Sequence, residues 1–460
     1  MLKLKRQRTR KYKPASKEFS ESFFIPYRYM WNGSTVLLKD DSLMQVVKFG
    51  GFSFETADDE DVDIRKSIRN LLLKGIGAGS ISLYFHVVRR RENVFARKAQ
   101  KDNPMPDMFS RYLEDEWRKK HEFKKNYTND LYVSIIKSRS AGGITAMEDA
   151  IQRIKEKADP SLWEAGMRES YGELDEMTSR IVTTLRDYKP KVLGVVNTKN
   201  GAFSELLEFL GTLVNCGEHS KMLVPNMPLC DYLPMHRLYF GSRSVEVLGH
   251  TKSRFGGIIS IKEYSQQTSS TMMDTFLQMP FELIISQSFS FIDRQSAINQ
   301  MKVQQNRMIS SDDAAVSQIY EINAALDSAM SGKIGFGKHH MTVMCIDDSP
   351  KALENVLAMA QTELSNTGII PVREKVNMEP CYWAQLPGNA DFAVRRATIN
   401  TLNLASFAPL HNYPTGQEED NHWGEYVTVL DTTSGTPFFF NFHVRDVGHT
   451  TIIGPTGAGK

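Results

Sequence analysis

The sequence predicts an α+β region with mixed sheets and long helices, followed by the first strands of an α/β domain that carries a phosphate-binding loop. Strand-like apolar segments alternate with helical patterns across residues 34–415. A β-branched segment at 449–453 then runs into Gly-Pro-Thr-Gly-Ala-Gly-Lys at 454–460. The length of 460 residues is about three times that of a typical domain, so we expect more than one domain.

The composition is that of an ordinary folded protein. Apolar residues make up 41% of the chain and charged residues 24%, and 56 basic against 54 acidic side chains leave a net charge of +2. These values exclude a disordered chain, a collagen-like fibre and a globally basic nucleic-acid binder. No apolar stretch reaches the ~18 residues of a membrane-spanning helix, and the N-terminus has no signal-peptide core. Four scattered cysteines predict reduced thiols in a cytosolic compartment.

We predict a basic N-terminal arm over residues 1–33. Its first 13 residues contain seven Lys and Arg side chains and no acidic one. One interpretation is a solvated tail, and another is an arm attracted to anionic lipid. Nucleic acid would attract the arm by the same physics, although nothing in the sequence indicates such a contact.

Residues 34–415 carry the patterns of an α+β domain. Segments 34–38 and 44–49 predict a hairpin. The acidic run 58–61 followed by Ile64, Ile68, Leu71 and Leu72 predicts a capped amphipathic helix with these four residues on its apolar face. Further strands are predicted at 81–88, 131–137, 244–249, 257–262, 340–346 and 368–373, and further helices at 108–125, 161–188, 203–214, 292–331 and 350–365. The polar stretch 139–159 predicts a loop or a weak helix, with a sub-boundary near 139–160.

Two smaller groups within residues 34–415 could carry chemistry. Pro387-Gly388-Asn389 predicts a tight turn before a helix near 391–402, and a role at the domain junction or near nucleotide stays open. His339 and Cys345 would lie about 20 Å apart along a strand, too far for one metal ion, so we interpret His339 and its neighbour as solvated or capping histidines.

The segment 416–460 predicts the start of a nucleotide-binding domain. Strands at 426–431 and 436–444 join through Thr-Thr-Ser-Gly, and a strand at 449–453 precedes the pattern G-x-x-x-x-G-K. Such a loop needs glycines because its backbone N–H groups must converge on phosphate oxygens, and its lysine reaches the β- and γ-phosphates. The candidate phosphate-binding residues are Gly454, Pro455, Thr456, Gly457, Ala458, Gly459 and Lys460. The other interpretation is a flexible glycine-rich end.

Two blocks of residues give the sequence a family resemblance. The stretch 440–460 resembles the opening of the nucleotide-binding domain of type IV secretion and conjugal transfer ATPases, the VirB/TrbE/CagE family. The run Gln385–Asn389 with the later Asn403–Phe407 resembles a second family element. The early Phe24–Tyr27 is similar to the family's N-terminal opening.

The resemblance implies a motor of two parts. An α+β domain would dock at the inner membrane of a Gram-negative bacterium, and a RecA-like domain would hydrolyse ATP with Mg²⁺ to drive pilus assembly and substrate translocation. The Mg²⁺-binding Ser or Thr is expected after Lys460, and the Walker B and catalytic acids further on. We therefore expect residues 1–460 alone to be inactive and the natural chain to continue.

The implied partners are other copies in a ring-like oligomer, small inner-membrane secretion components and the secretion core. The implied location is cytoplasmic and peripheral at the membrane, where the basic arm would meet anionic lipid. Two other functions stay open. One is a DNA-translocating ATPase similar to the coupling proteins, and the other is a non-enzymatic scaffold of the secretion complex.

Overall fold

The structure is a computed structural model that describes residues 20–76, 80–92, 108–121, 126–139, 159–249, 253–310, 325–328, 330–422, 424–443 and 447–457. Its strands are β1 Tyr27–Asn32, β2 Thr35–Leu38, β3 Leu43–Phe49, β4 Ile81–Glu92, β5 Asn126–Lys137, β6 Pro190–Val192, β7 Val195–Thr198, β8 Gly201–Ser204, β9 Arg237–Phe240, β10 Val245–Leu248, β11 Ser253–Glu263, β12 Glu282–Ile292, β13 Phe336–Asp347, β14 Ile370–Arg373, β15 Ala397–Asn400, β16 Thr428–Asp431 and β17 Pro437–Phe440. Its α-helices are α1 Glu21–Phe24, α2 Asp59–Ile76, α3 Met108–His121, α4 Pro160–Thr184, α5 Glu205–Val214, α6 Leu229–Tyr232, α7 Arg294–Ser310, α8 Pro350–Asn366, α9 Met378–Trp383 and α10 Thr401–Phe407.

One large sheet organises most of the described chain between residues 27 and 400. Its strand order is β1-β2-β3-β5-β4-β12-β13-β11-β10-β9, and β6, β15 and β14 pair with β3, β13 and β11. The sequence predicts mixed sheets, but the ladders between the described strands are antiparallel. β4 pairs with β12 from Ser82 to Arg89, so strands before and after the polar stretch 139–159 belong to one continuous sheet.

Two split β-α-β units build the centre of the sheet. β3 and β4 both run antiparallel to β5, so they are parallel to each other and α2 connects them. β13 and β14 flank β11 in the same way, and α8 connects them. Ser349 begins α8 because its hydroxyl accepts the backbone N–H of Ala352, and Pro350 occupies the first turn. The predicted β-α-β sequence at 340–373 is therefore confirmed, with an antiparallel strand between its two strands.

Both faces of the sheet are buried. Alternate residues such as Leu283 and Ile285 join a core cluster with α2, α4, α8 and α10, whereas Ile284 joins a second cluster with α5, α6 and α9. Because successive side chains of a strand point to opposite faces, this three-layer packing requires apolar residues at consecutive positions. It explains the continuous apolar stretches in the central strands.

The helix predicted from the acidic run is confirmed as α2, but its predicted apolar face is wrong. Ile64, Ile68 and Leu71 are exposed, and only Leu72 of the four residues is buried. In their place the buried side carries Arg69, whose guanidinium donates to the Tyr188 hydroxyl at 2.5 Å. Apolar residues lie on two sides of the helix, so the spacing of its apolar residues does not determine which side packs on the core.

Other elements differ from their predictions. The strand β12 has no predicted counterpart because the polar run Ser286-Gln287-Ser288 interrupts its apolar residues. The helix predicted at 292–331 begins at Arg294 and is described to Ser310, with 311–324 and 329 outside the described residues. In place of the helix predicted near 391–402 there are a 3₁₀ turn at Ala390–Phe392, the strand β15 and the start of α10.

The basic residues 1–13 and most of 139–159 also lie outside the described residues. Within the described ranges, no helix combines the length and apolar character that crossing a membrane requires.

Candidate functional site

The candidate phosphate loop lies on an irregular, exposed segment. The predicted strand at 449–453 is wrong, because residues 449–455 form no strand and the side chains of Ile452 and Ile453 are 81% and 89% exposed. A strand needs a neighbour for its backbone hydrogen bonds, and the described residues place no strand beside this segment.

The described part of the loop has an open backbone. Gly454, Pro455, Thr456 and Gly457 are described, whereas Ala458, Gly459 and Lys460 lie outside the described residues. Gly457 has a φ of +85°, which favours glycine, and no heavy atom of the described residues lies within 4 Å of the place a Cβ would take. This open backbone fits the need of a phosphate loop for unobstructed N–H groups. Pro455, Thr456 and Gly457 are exposed, and Gly454 is half-buried.

The hairpin that leads to the loop is fixed to the large sheet. β16 and β17 pair as predicted, through a turn whose residue Gly435 has a φ of +73°. The backbone N–H of Tyr127, in β5, donates to the Gly435 carbonyl oxygen at 2.9 Å. At the tip of the hairpin, the hydroxyl groups of Thr432, Ser434 and Thr436 form hydrogen bonds with one another. The β16–β17 hairpin is therefore anchored on β5 of the large sheet.

Arg89 joins this hairpin to two other parts of the chain. Its guanidinium is buried and donates to the carbonyl oxygens of Ser434 at 3.0 Å, Met279 at 2.7 Å and Leu277 at 2.7 Å. It also donates to the Asn129 side-chain oxygen at 2.8 Å. Burial lowers the pKa of Arg89 to about 10, so the group stays charged at neutral pH. The sequence did not single out Arg89, because it is the first of three consecutive arginines and nothing in their order marks the buried one.

Two elements of the family resemblance, Phe24–Tyr27 and Gln385–Asn389, meet in space. The side-chain amide of Asn389 donates to the Phe24 carbonyl oxygen at 2.8 Å and to the Trp383 carbonyl oxygen at 3.0 Å. The rings of Phe24 and Trp383 stack with centroids 4.9 Å apart. Gly388 has a φ of +101°, and a Cβ there would lie 2.5 Å from the Leu38 side chain. Residues 387–389 therefore form a tight turn that fastens α1 to α9, as the turn interpretation predicts.

The histidines of β13 are buried, so their interpretation as solvated or capping residues is wrong. The His339 ring lies between the Tyr264 hydroxyl at 2.8 Å and the Gln287 side-chain oxygen at 3.1 Å. The His340 Nδ1 lies 3.1 Å from the Arg395 carbonyl oxygen. Burial lowers the pKa of His339 to about 3 and lowers that of His340 as well. Both imidazoles therefore have a structural role, because they form hydrogen bonds between β13 and other segments of the chain.

The two histidines near the loop differ in their surroundings. The ring of His443 stacks on that of His422 with centroids 4.9 Å apart and an interplanar angle of 9°. Its edge lies against Gly448, where a Cβ would be 2.5 Å from Nε2. His449 is exposed. Packing against His422 and Gly448 therefore accounts for the position of the His443 ring.

Two family models match the chain. One, described as the CagE, TrbE, VirB family, component of type IV transporter system, matches residues 191–395. The other, described as type IV secretion system ATPase VirB4/TrbE, N-terminal domain, matches residues 34–143. Together they cover most of the large sheet and both split β-α-β units.

Curated relatives match almost the whole chain. It is 33% identical over 437 residues to the type IV secretion system protein virB4 of Bartonella quintana, covering 95% of this chain and 55% of that protein. It is 32% identical over 441 residues to the protein of the same name in Bartonella henselae, again covering 95% and 55%. Protein virB4 of Agrobacterium fabrum is 30% identical over 443 residues, covering 96% and 55%. The chain spans about half the length of the curated relatives it matches.

Proposed function

The chain belongs to the VirB4/TrbE family of type IV secretion system components, and from this premise we propose that it is the N-terminal part of the secretion motor ATPase. In this proposal the complete protein binds and hydrolyses ATP to energise pilus assembly and substrate translocation at the inner membrane. The observation that carries the proposal is the sequence Gly454–Lys460, which follows a hairpin anchored on the family-matched sheet.

The loop residues would hold the phosphates of ATP. Backbone N–H groups of Gly454 to Gly459 would donate to phosphate oxygens, and Lys460 would neutralise the β- and γ-phosphates. The open backbone and positive φ at Gly457 support this role. Mg²⁺, when bound with the nucleotide, supplies charge neutralisation at the transferred phosphate. Residues 1–460 on their own are proposed to lack turnover.

The hairpin β16–β17 would transmit the nucleotide state to the docking region. It precedes the phosphate loop and is held by Arg89 and by the Tyr127 backbone. Both anchor residues lie on the central strands β4 and β5. A shift of the hairpin on ATP binding or hydrolysis would therefore act directly on the large sheet.

The same proposal includes the partners that the family resemblance implies. Copies of the protein would associate with one another and with small inner-membrane components and the secretion core, on the cytoplasmic side of the inner membrane. The basic residues 1–13 would meet anionic lipid, with about 1 kcal/mol for each basic residue near the surface. A variant without residues 1–13 should bind phosphatidylserine vesicles more weakly, and unchanged binding would remove the arm from the proposal.

Binding of ATP tests the nucleotide site. The protein at its natural length is titrated with a fluorescent ATP analogue in the presence of Mg²⁺. Lys460→Ala should weaken binding at least tenfold, because one point charge on the phosphates is lost. Lys375→Ala, a change in a different part of the chain, is the matched control and should bind like the parent. Equal affinities of the Lys460→Ala variant and the parent would refute the site.

A further inference from the structure

An apolar stripe runs along the outward side of α2. It consists of Ile64, Ile68 and Leu71, whose side chains are 52%, 40% and 60% exposed. Their spacing of four and three residues places them in one line on the helix surface. The opposite side of the helix is firmly held, because Leu72 and Leu73 belong to the core. The stripe is thus an ordered apolar surface on a fixed element.

The two ends of the stripe carry opposite charges. At the N-terminal end Glu60 is exposed, next to the exposed Asp59, and neither has an ion-pair partner among the residues that the structure describes. At the C-terminal end the Arg180 guanidinium lies on the helix, where a Cβ at Gly75 would be 2.5 Å from its Nη2. Arg180 also donates to the Gly75 carbonyl oxygen at 3.4 Å.

The outward positions are symmetric along the helix. Residues 60 and 75 are equally far from a point between residues 67 and 68, and so are residues 64 and 71. A second α2 laid antiparallel on the first would therefore bring apolar residues against apolar residues along the whole stripe. The same alignment would place the acidic end of each helix on the basic end of the other. A two-fold axis requires this self-complementary pattern.

We propose that α2 is a contact between two copies of this chain, packed antiparallel about a two-fold axis. Ile64 would pack on Leu71 of the partner subunit, and Ile68 on Ile68 of the partner subunit. Glu60 would pair with Arg180 of the partner subunit, whose guanidinium lies against its own helix where Gly75 has no side chain. The inference goes beyond the proposed function, because a two-fold contact joins copies in pairs and does not by itself close a ring.

The charges favour a second copy over a membrane surface. Anionic lipid would attract the basic end of the stripe but repel its acidic end, so a lipid surface does not match both ends. Three aliphatic side chains on each copy form a small contact compared with the ~800 Å² per partner of a standard interface. The association is therefore weak and depends on protein concentration.

The oligomeric state in solution tests the contact. The 460-residue chain is studied by sedimentation equilibrium over a range of concentrations, without nucleotide. Ile68→Asp should raise the dissociation constant at least tenfold, because it buries two carboxylates at the axis. Met359→Asp replaces an apolar residue of α8 that is 46% exposed, and as the matched control it should leave self-association unchanged. Circular dichroism and thermal melting check that both variants fold.

Charge reversal distinguishes the antiparallel pairing from another use of the stripe. Glu60→Arg and Arg180→Glu should each weaken self-association, whereas an equimolar mixture of the two variants should associate like the parent. A monomeric parent, an unaffected Ile68→Asp variant or a mixture that stays dissociated would each overturn the proposal. Because the experiment contains no nucleotide, its failure would leave the ATP-site test untouched, and the reverse also holds.

Discussion

The side-chain amide of Asn389 donates a 2.8 Å hydrogen bond to the backbone carbonyl oxygen of Phe24, 365 positions earlier in the chain. The same amide donates to the carbonyl oxygen of Trp383, on which the Phe24 ring stacks. One side chain thus fastens the start of the described chain to the turn after α9. Two sequence elements that contribute to the family resemblance are parts of a single packing unit.

Substitution of Gly388 should disturb this unit strongly. Its φ of +101° is strained for other residues, and an alanine Cβ would lie 2.5 Å from Leu38 Cδ2 and 3.4 Å from Pro26. Gly388→Ala should therefore lower the free energy of unfolding by about 2 kcal/mol or more, measured by urea denaturation. The matched control is Gly172→Ala on α4, where no atom lies within 4 Å of the new methyl group. This control should raise the free energy by about 0.5–1 kcal/mol, and equal effects of the two substitutions would contradict the turn geometry.

Arg89→Leu should loosen the hairpin β16–β17. The substitution leaves the carbonyl oxygens of Met279 and Ser434 without their buried donor, whereas the Leu277 carbonyl oxygen still accepts from the Asn129 side-chain amide. The expected cost is about 3 kcal/mol or more in the free energy of unfolding. Hydrogen exchange should show faster exchange at the Tyr127 amide and in the hairpin. Arg373→Leu is the control, because its partly exposed pair with Glu354 should contribute less than about 1 kcal/mol. Unchanged exchange in the hairpin of the Arg89 variant would rule out Arg89 as its anchor.

The four cysteines should be unreactive in the folded protein. Cys216, Cys230, Cys345 and Cys381 are all buried and free. Burial raises the pKa of Cys216, Cys345 and Cys381 to about 12, so very little thiolate is present at pH 8. Ellman's reagent should detect almost no thiol in the native protein and all four after unfolding in guanidinium. Rapid labelling of the native protein would contradict the burial.

Acid should destabilise the fold through its buried histidines. Burial lowers the pKa of His86 to about 4 and that of His339 to about 3, whereas an unfolded histidine titrates near 6.5. Below pH 6.5 the unfolded state therefore binds protons that the folded state does not, and stability falls as the pH falls toward about 4. Each histidine should cost about 1 kcal/mol between pH 7 and pH 5.5.

The His86→Gln/His339→Gln double variant separates this effect from other titrating groups. Its free energy of unfolding, measured by urea denaturation at both pH values, should fall by about 2 kcal/mol less than that of the parent. The comparison uses the change between the two pH values, so a general loss of stability in the variant cancels. An identical pH dependence of variant and parent would show that other groups cause the acid sensitivity.

Much of the fold follows from local patterns in the sequence. The segments that became α2, α8 and the β16–β17 hairpin have caps, turns and periodicities that depend on nearby residues. The strand β12 was not predicted because its core face uses residues such as Gln287, which is buried by bonding to Phe407 and His339. That contact joins residues far apart in the chain, so local pattern cannot reveal it.

The side of α2 that meets the core could not be predicted for a related reason. Both sides of the helix carry aliphatic residues, and Arg69 lies on the buried side because Tyr188 and the Ala405 carbonyl oxygen accept its hydrogen bonds. Only the tertiary structure supplies these acceptors. For the candidate site, the glycine and lysine pattern of residues 454–460 is local, so the prediction of a phosphate loop depends only on neighbouring residues. The anchoring of the preceding hairpin through Arg89 depends on carbonyl oxygens of two segments far from Arg89 in the chain, residues 277–279 and the hairpin turn at Ser434.

The most direct test of the central claim is substrate transfer by cells that lack the gene for this protein and carry either its parent or its Lys460→Ala form. If residues 454–460 bind the phosphates of ATP in a secretion motor, the parent should restore transfer. The Lys460→Ala protein, present at equal abundance, should reduce transfer at least a hundredfold, because transition-state charge at the phosphates is no longer stabilised. Equal transfer by the two proteins would contradict the claim that this loop powers secretion.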